Sequence, residues 1–423
     1  MKTDVYGVRG TADWTFRGRN VRQYTHCYHD YPARMIPQIA HKHLLLYGVE
    51  DGFLFDPYCG TGTTLVEAMI AGMNALGTDI NPLARLIAEA KVTLTDPDFV
   101  KAAIDSFETY SLPGLFRKND GLVTRREIPN MEFWFKPEVA ADRSAVLAFT
   151  ERIENRGIRK FFEVAFSETV RESCNSKAGE FKLCRRKPSD LENFHPDVFG
   201  IMLVKLRRNL EGLRALVTLL RGSKSRVVTV ESFDTCHAIP AEVLPDCSVD
   251  IVVTLPPYGD SHTTVAYGQY SRLSAEWLGL REPRTVDRRS MGGTIPASVC
   301  RFDCRALDES ISAIAEIDRK RAREVSGFYR DLRKFIANVA AKLKPGAHAC
   351  YVVANRKVKG VILPTDQAIK RFFECSGCEY VATFERDIPN KRMPLKNSPS
   401  NVPGELDATM TREVHRCCQK GTC

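Results

Sequence analysis

Three short segments concentrate the residues able to do chemistry. They are Asp56-Pro57-Tyr58-Cys59-Gly60-Thr61-Gly62-Thr63-Thr64, then Gly77-Thr78-Asp79-Ile80-Asn81-Pro82, and far downstream Leu255-Pro256-Pro257-Tyr258. Gly60 and Gly62 let the backbone turn sharply and approach a ligand with no side chain in between. Asp79 offers a carboxylate that can accept both hydroxyls of a ribose, as the acid of nucleotide-binding βαβ units does. The pattern lacks the third glycine of the dinucleotide fingerprint and the lysine of a P-loop, which speaks against a bound pyrophosphate. Pro256 presents a carbonyl in a direction stiffened by the two prolines, and Tyr258 adds a flat face for stacking. This chemistry is that of an adenosine-type cofactor pocket facing a slot for a planar base.

The elements that must hold these groups can be read around them. Phe53-Leu54-Phe55 precedes the glycine turn and Leu65, Val66, Ala68, Met69 and Ile70 follow it, which predicts strand, turn and helix. Ala75-Leu76-Gly77 predicts a second short strand leading to Asp79. Ser248 to Thr254, with Val249, Ile251, Val252 and Val253, reads as a buried parallel strand. The two prolines after it force the chain off the sheet at its carboxyl edge, where open α/β sheets bind ligands. Residues from about Asp96 to Arg221 are far too long for a simple connection to the next strand, Arg226 to Val230, and form an insertion. Helices are expected in it around Val139 to Ile153 and around Phe199 to Leu220, where Leu203, Leu206, Leu210, Leu213 and Leu216 follow a helical period that suits core packing. Phe133, Trp134 and Phe135 read as packing rather than as a wedge for nucleic acid. Ser261 to Thr294, rich in Gly, Ser, Thr and Arg, predicts a mobile loop over the site. One helix is predicted over Asp308 to Leu343, ending at Lys344-Pro345-Gly346, and a strand over His348 to Ala354.

At the Pro-Pro-Tyr loop the chain resembles the DNA amino-methyltransferases that use S-adenosylmethionine, in particular the cytosine-N4 group. In that family a Ser-, Asp- or Asn-Pro-Pro-Tyr loop grips the exocyclic amine of a flipped base. Tyr28-His29-Asp30-Tyr31-Pro32-Ala33-Arg34-Met35-Ile36-Pro37 is similar to the family's first segment, beside the methionine end of the cofactor. Gly259 to Ser271, Gly179 to Leu183, Ala354-Asn355-Arg356 and Ile388 to Pro394 also resemble one cytosine-N4 subgroup. The resemblance implies a Rossmann-like α/β fold with a seven-stranded methyltransferase sheet and a mostly helical insertion. It divides the chain into a first core part, 1–95, a basic insertion and candidate target-recognition region, 96–221, and a second core part, 222–423. It implies catalytic roles for Leu255, Pro256, Pro257 and Tyr258, and cofactor binding by Tyr31, Pro32, Asp56, Pro57, Gly60, Gly62, Thr63, Asp79, Ile80 and Glu231. Glu231 stands where the family has an acid for the adenine amine. The implied partners are double-stranded DNA and a cognate restriction endonuclease.

Two departures bear on activity. Leu255 occupies the position of the polar residue, so one of two hydrogen-bond acceptors for the amine is missing. A catalytically impaired relative that only binds cofactor or DNA is therefore a competing reading, beside adenine-N6 and RNA base methylation. The chain end, Thr409 to Lys420, has only Val414 as a strongly apolar residue, which predicts a degraded or replaced final strand.

Composition sets the remaining bounds. With 423 residues and 43% hydrophobic content the chain can bury a large core, and no apolar run approaches the ~20 residues of a membrane span. The start, Met1-Lys2-Thr3-Asp4-Val5, does not read as a secretion signal, so a cytoplasmic location is expected. The 14 cysteines are scattered, and buried or free thiols are expected rather than a disulfide framework. Cys375 and Cys378 form a CxxC, but Cys417, Cys418 and Cys423 lack the spacing of a second ligand pair, and no metal is expected. The net charge of +9 is modest, yet Arg171, Lys177, Lys182, Arg185, Arg186 and Lys187 cluster, as do Arg281, Arg284, Arg288 and Arg289. Flanking a base-handling loop, such clusters suit DNA phosphates.

Overall fold

The computed structural model describes residues 3–111, 126–177, 181–259, 266–388 and 412–421. Helix α1 (Pro37–Tyr47) leads into β1 (Phe53–Asp56), α2 (Thr63–Ile70), β2 (Asn74–Thr78) and α3 (Pro82–Val92). The insertion is helical: α4 (Pro97–Tyr110), α5 (Met131–Trp134), α6 (Pro137–Glu151), α7 (Arg156–Ser173), α8 (Pro188–Glu192) and α9 (Val198–Leu219). Then come β3 (Val228–Glu231), β4 (Val249–Thr254), α10 (Tyr267–Trp277) and α11 (Val286–Arg289). The chain continues through α12 (Arg305–Ile317), α13 (Arg319–Lys342), β5 (Leu343–Val353), the hairpin β6 (Arg356–Val358) and β7 (Val361–Leu363), α14 (Thr365–Glu374), β8 (Cys378–Asp387) and β9 (Arg412–Lys420).

Seven strands form one sheet in the order β3-β2-β1-β4-β5-β9-β8. The first five are parallel, while β9 runs antiparallel between β5 and β8. From β1 the order runs one way through β2 to β3 and the other way through β4 to β5. The crevice at the carboxyl ends of β1 and β4 is therefore the topological switch point, where such sheets bind ligands. One face of the sheet packs Phe55, Val249, Val252 and Tyr351 against α12, α13 and α14. The other packs Leu54, Ile251, Val253 and Val352 against α1 and α2. The insertion gathers Val100, Phe107, Phe162, Phe166, Leu206, Leu210 and Leu213 into a third cluster, shared with Leu86 of α3 and Trp277 of α10. Phe135 is buried in it and Trp134 packs against it, whereas Phe133 remains 45% exposed.

Several elements differ from the sequence expectation. The predicted single helix over Asp308 to Leu343 is two helices, because Asp318 adopts an extended backbone and its side chain caps α13 by accepting from Arg321 N at 2.9 Å. Strand β5 begins at Leu343, directly after α13; the register skips between Val249↔Leu343 and Ile251↔His348, so Pro345 and Gly346 sit in an irregularity inside the strand. The supposed loop over Ser261 to Thr294 contains α10, whose Tyr270, Leu273 and Trp277 are buried; Ser261 to Val265 lie outside the described residues. The final strand is not degraded. In β9, Val414, His415, Cys417 and Cys418 are all buried, the cysteines serving opposite faces of the sheet, so cysteine and histidine replace the aliphatic residues that the expectation required.

Candidate active site

The glycine turn is built on Asp56, the last residue of β1. Its carboxylate accepts from Tyr58 N at 3.1 Å and from Thr254 Oγ1 at 2.7 Å, and Thr64 Oγ1 donates to its other oxygen. One acid thus ties the turn, the start of α2 and the end of β4 together. Burial pushes its pKa up to about 6, against the lowering pull of those hydrogen bonds. Gly62 adopts φ +75°, and a Cβ there would lie 2.9 Å from Ala88 Cβ, so glycine is required by both conformation and packing. Gly60 has φ +50° and a Cβ on it would meet nothing within 4 Å, which leaves the space above the turn open to a ligand.

Asp79 closes the turn from β2. Its Oδ2 accepts from Gly60 N at 3.1 Å and its Oδ1 from Asn81 N at 2.7 Å. Burial raises its pKa to about 6, opposed by the backbone N–H of Asn81, the Arg85 charge and the N–H of Gly60. Asn81 caps α3 by accepting from Leu83 N at 3.1 Å, and its amide donates to the Tyr31 hydroxyl at 2.8 Å and to Ser271 Oγ at 3.1 Å. Tyr31 is stacked beside Tyr267 of α10, with ring centroids 6.1 Å apart. A buried knot holds the Tyr31 segment in place: Glu67 of α2 lies within hydrogen-bond distance of His26 Nε2 (2.7 Å) and His41 Nδ1 (2.9 Å) and accepts from the Tyr6 hydroxyl at 2.8 Å.

These parts line one cleft at the carboxyl edge of the sheet, the usual place for a ligand in an open α/β fold. Of the residues expected from sequence, Tyr31, Pro32, Asp56, Pro57, Gly60, Thr63, Asp79, Ile80, Leu255 and Pro257 border it. Gly62, Pro256, Tyr258 and Glu231 do not. Gly62 faces α3 instead, and Pro256 is buried. The Tyr258 hydroxyl donates to Glu413 Oε1 of β9 at 2.9 Å, and Arg386 Nε of β8 donates to the other Glu413 oxygen at 2.6 Å. The strand expected to be degraded therefore braces the Pro-Pro-Tyr loop. Glu231 is paired opposite Thr78, and Thr78 Oγ1 donates to the Phe233 carbonyl at 2.8 Å, which carries the following residues over the cleft. Phe233 and Asp234, not Glu231, border it, and Asp234 is the acid on that wall.

Sequence reasoning also missed Asn81, Tyr267, Arg289 and Ser290 on the cleft wall. Asn81-Pro82 carries a legible helix-cap signal, whereas Tyr267 and Arg289 come from α10 and α11, hidden in what read as loop. The basic stretches are engaged in part: Arg284 pairs with Glu276 and Arg289 with Glu282, while Arg171, Arg185 and Arg186 lie over the rings of Tyr270, Phe133 and Phe194. Among the described residues, Cys375 is exposed and Cys378 buried, and the pair joins no three-ligand cluster. Asp260 to Thr264, Gly179, Glu180 and Pro389 to Pro394 lie outside the described residues. No helix among the described residues is long and apolar enough to cross a membrane.

The cleft is compatible with a nucleoside bearing a short charged tail: a glycine turn open above Gly60, a carboxylate at Asp79 and an aromatic wall at Tyr31, Tyr267 and Phe233. Comparison with known proteins agrees. The DNA methylase family model matches residues 4–89. The chain is 37% identical over 421 residues to the Type II methyltransferase M.MvaI of Kocuria varians, covering 94% of this chain and 92% of that protein. It is 38% identical over 74 residues to the Type II methyltransferase M.MjaII of Methanocaldococcus jannaschii, covering 18% of this chain and 14% of that one. The rRNA methyltransferase aviRa from Streptomyces viridochromogenes aligns over 93% of this chain and 88% of its own at 10% identity, with a TM-score of 0.35, too low to carry an argument.

Proposed function

The chain belongs to the DNA amino-methyltransferases, which draw their methyl group from S-adenosylmethionine, and on that premise we propose that it methylates the exocyclic N4 of cytosine flipped out of duplex DNA. The observation that carries the reading is the meeting of Leu255 and Pro257, at the end of β4, with the Asp56 turn and Asp79 in a single cleft. Bound there, S-adenosylmethionine supplies an electrophilic methyl group on a sulfonium. The chain's residues supply the rest. Asp79 accepts the ribose hydroxyls, Asp234 takes the adenine amine in place of Glu231, and Tyr31 and Pro32 shape the methionine end. Pro256 itself is buried behind the cleft wall, but its carbonyl is bonded to the nitrogen of the cleft-lining Pro257, and from that junction it accepts a hydrogen from the target amine. This disfavours delocalisation of the nitrogen lone pair into the ring and directs it at the methyl group. No covalent intermediate is needed, so Cys59 and Cys236, which border the cleft, need not act as nucleophiles.

The insertion is the proposed target-recognition region, with Lys177, Lys182, Arg185 and Arg186 on DNA phosphates. In the cytoplasm the enzyme serves as the modification partner of a restriction endonuclease. Mass spectrometry of digested DNA from cells expressing the chain tests the proposal directly: N4-methylcytosine is expected, and N6-methyladenine alone, or labelling of RNA but not duplex DNA, overturns it.

A second reading, an impaired enzyme that still binds its ligands, is favoured by Leu255. That side chain is half-buried and packs against the cluster containing Met35 and Val253. Asp56, which already accepts three hydrogen bonds from Tyr58 N, Thr254 Oγ1 and Thr64 Oγ1, is committed to holding the turn.

A further inference from the structure

Outside the cleft, the face of the sheet covered by α1 holds a group of ligand atoms with no role in the reaction above. His43 of α1, Cys350 of β5 and Cys417 of β9 are all fully buried, and one ligand atom from each lies within 4.8 Å of the others. Cys350 and Cys417 face each other across the β5–β9 ladder with their sulfurs 3.4 Å apart, and Cys417 Sγ is 3.9 Å from His43 Nδ1. A tetrahedral zinc ion with ordinary bond lengths holds two thiolate sulfurs ~3.8 Å apart and a sulfur and an imidazole nitrogen ~3.5 Å apart. The sulfur–sulfur and Cys417–His43 spacings differ from these by a few tenths of an ångström, and the Cys350 sulfur lies within 4.8 Å of a His43 ring nitrogen.

The surroundings are those of a ligand set. His43 Nε2 lies 3.2 Å from Nδ1 of His415, so with the shared proton on His43 its Nδ1 is left as a bare lone pair facing the Cys417 sulfur. A ligating histidine normally uses its second nitrogen in this way. Trp14 packs against both imidazoles, with ring centroids 4.8 Å from His43 and 4.9 Å from His415. Charge selects the ion. Two thiolates and a neutral imidazole around a divalent cation make a net-neutral unit, which an apolar core tolerates, whereas a monovalent cation would leave a buried negative charge.

We propose that His43, Cys350 and Cys417 bind one Zn²⁺ ion that clamps α1 to β5 and β9. Binding releases the two thiol protons to solvent and involves no redox change. The clamp ties a helix near the start of the chain to a strand near its end, and so secures β9, whose one strongly aliphatic residue is Val414.

The test uses the full-length chain purified without metal-affinity resin or added metal. Elemental analysis is expected to find about one zinc per chain, and intact mass under denaturing conditions to find both cysteines reduced. Cys350→Ser and Cys417→Ser each drop the metal to background, while Cys375→Ser leaves it unchanged. Cobalt exchanged into the wild-type chain shows thiolate charge-transfer absorption, and Cys417→Ser abolishes it. Wild-type protein with background zinc and no cobalt signal overturns the proposal, whether its two thiols titrate free or its mass reveals a Cys350–Cys417 disulfide. The wild-type measurements decide the matter even should either serine variant fail to fold.

Discussion

Replacing Leu255 by serine restores an acceptor at the one position where the loop lacks the polar group of its family. Removal of a single preorganised hydrogen-bond partner to a developing charge costs ~10²–10³ in rate, or ~2.7–4 kcal/mol. The native chain, with the Pro256 carbonyl alone, carries a penalty of that order, and Leu255→Ser is expected to raise kcat by up to about 10²-fold. The substitution is not free of structural cost. Leu255 is half-buried against the Met35 and Val253 cluster, so its truncation lowers stability by ~1–2 kcal/mol. Cofactor affinity should not change, because the ribose and adenine contacts are assigned to Asp79 and Asp234, which follow β2 and β3 rather than β4. The assay is transfer of labelled methyl from S-adenosylmethionine to duplex DNA, with calorimetric titration of S-adenosylhomocysteine and a thermal melt on each variant. A folded Leu255→Ser protein that binds cofactor as the native chain does, yet shows unchanged or lower kcat, refutes the reasoning: the missing acceptor would not limit the rate.

Other perturbations separate the remaining roles. Asp234→Asn should weaken S-adenosylhomocysteine binding about tenfold, the equivalent of ~1.4 kcal/mol, whereas Glu231→Gln should leave it unchanged by calorimetry, since Glu231 does not border the cleft. Glu413→Ala strands Arg386, whose side chain is only 5% exposed, and should cost ~3–5 kcal/mol by urea denaturation. Tyr258→Phe keeps that ion pair and removes only the hydroxyl bond to Glu413, so it should lower kcat while leaving the unfolding free energy from urea denaturation within ~1–2 kcal/mol of native. Asp79 has a folded pKa of about 6 against an ordinary carboxylate value of 3.8, so the folded state binds the extra proton between these values. Its contribution to stability therefore falls as pH rises through that window, while ribose binding, which needs the charged form, weakens as pH drops below about 6. Binding of S-adenosylhomocysteine measured from pH 5 to pH 8 should show this dependence, and Asp79→Asn should flatten it.

What the sequence made legible follows the range of the forces involved. The Asp56 turn, β2 and the β4–Pro256 junction were readable because each is dictated locally: a β-branched run, glycines in the left-handed region, prolines that cannot continue a strand. The α12–α13 break was readable in principle, since Asp318 followed three residues later by Arg321 N is an ordinary cap, but continuous helical periodicity on both sides masked it. The tertiary pairings were not readable. Glu413 reaches Tyr258 only because β9 returns antiparallel between β5 and β8, and Asp234 borders the cleft only because Thr78 draws Phe233 across the end of β2. The same reasoning explains why β9 looked degraded. A strand whose neighbours bury it on both faces can use His415, Cys417 and Cys418 where hydropathy alone demands valine and isoleucine, provided the polar atoms find partners across the sheet. His415 faces His43 and Cys417 faces Cys350, so the residues that made the strand unrecognisable are those that fix its place.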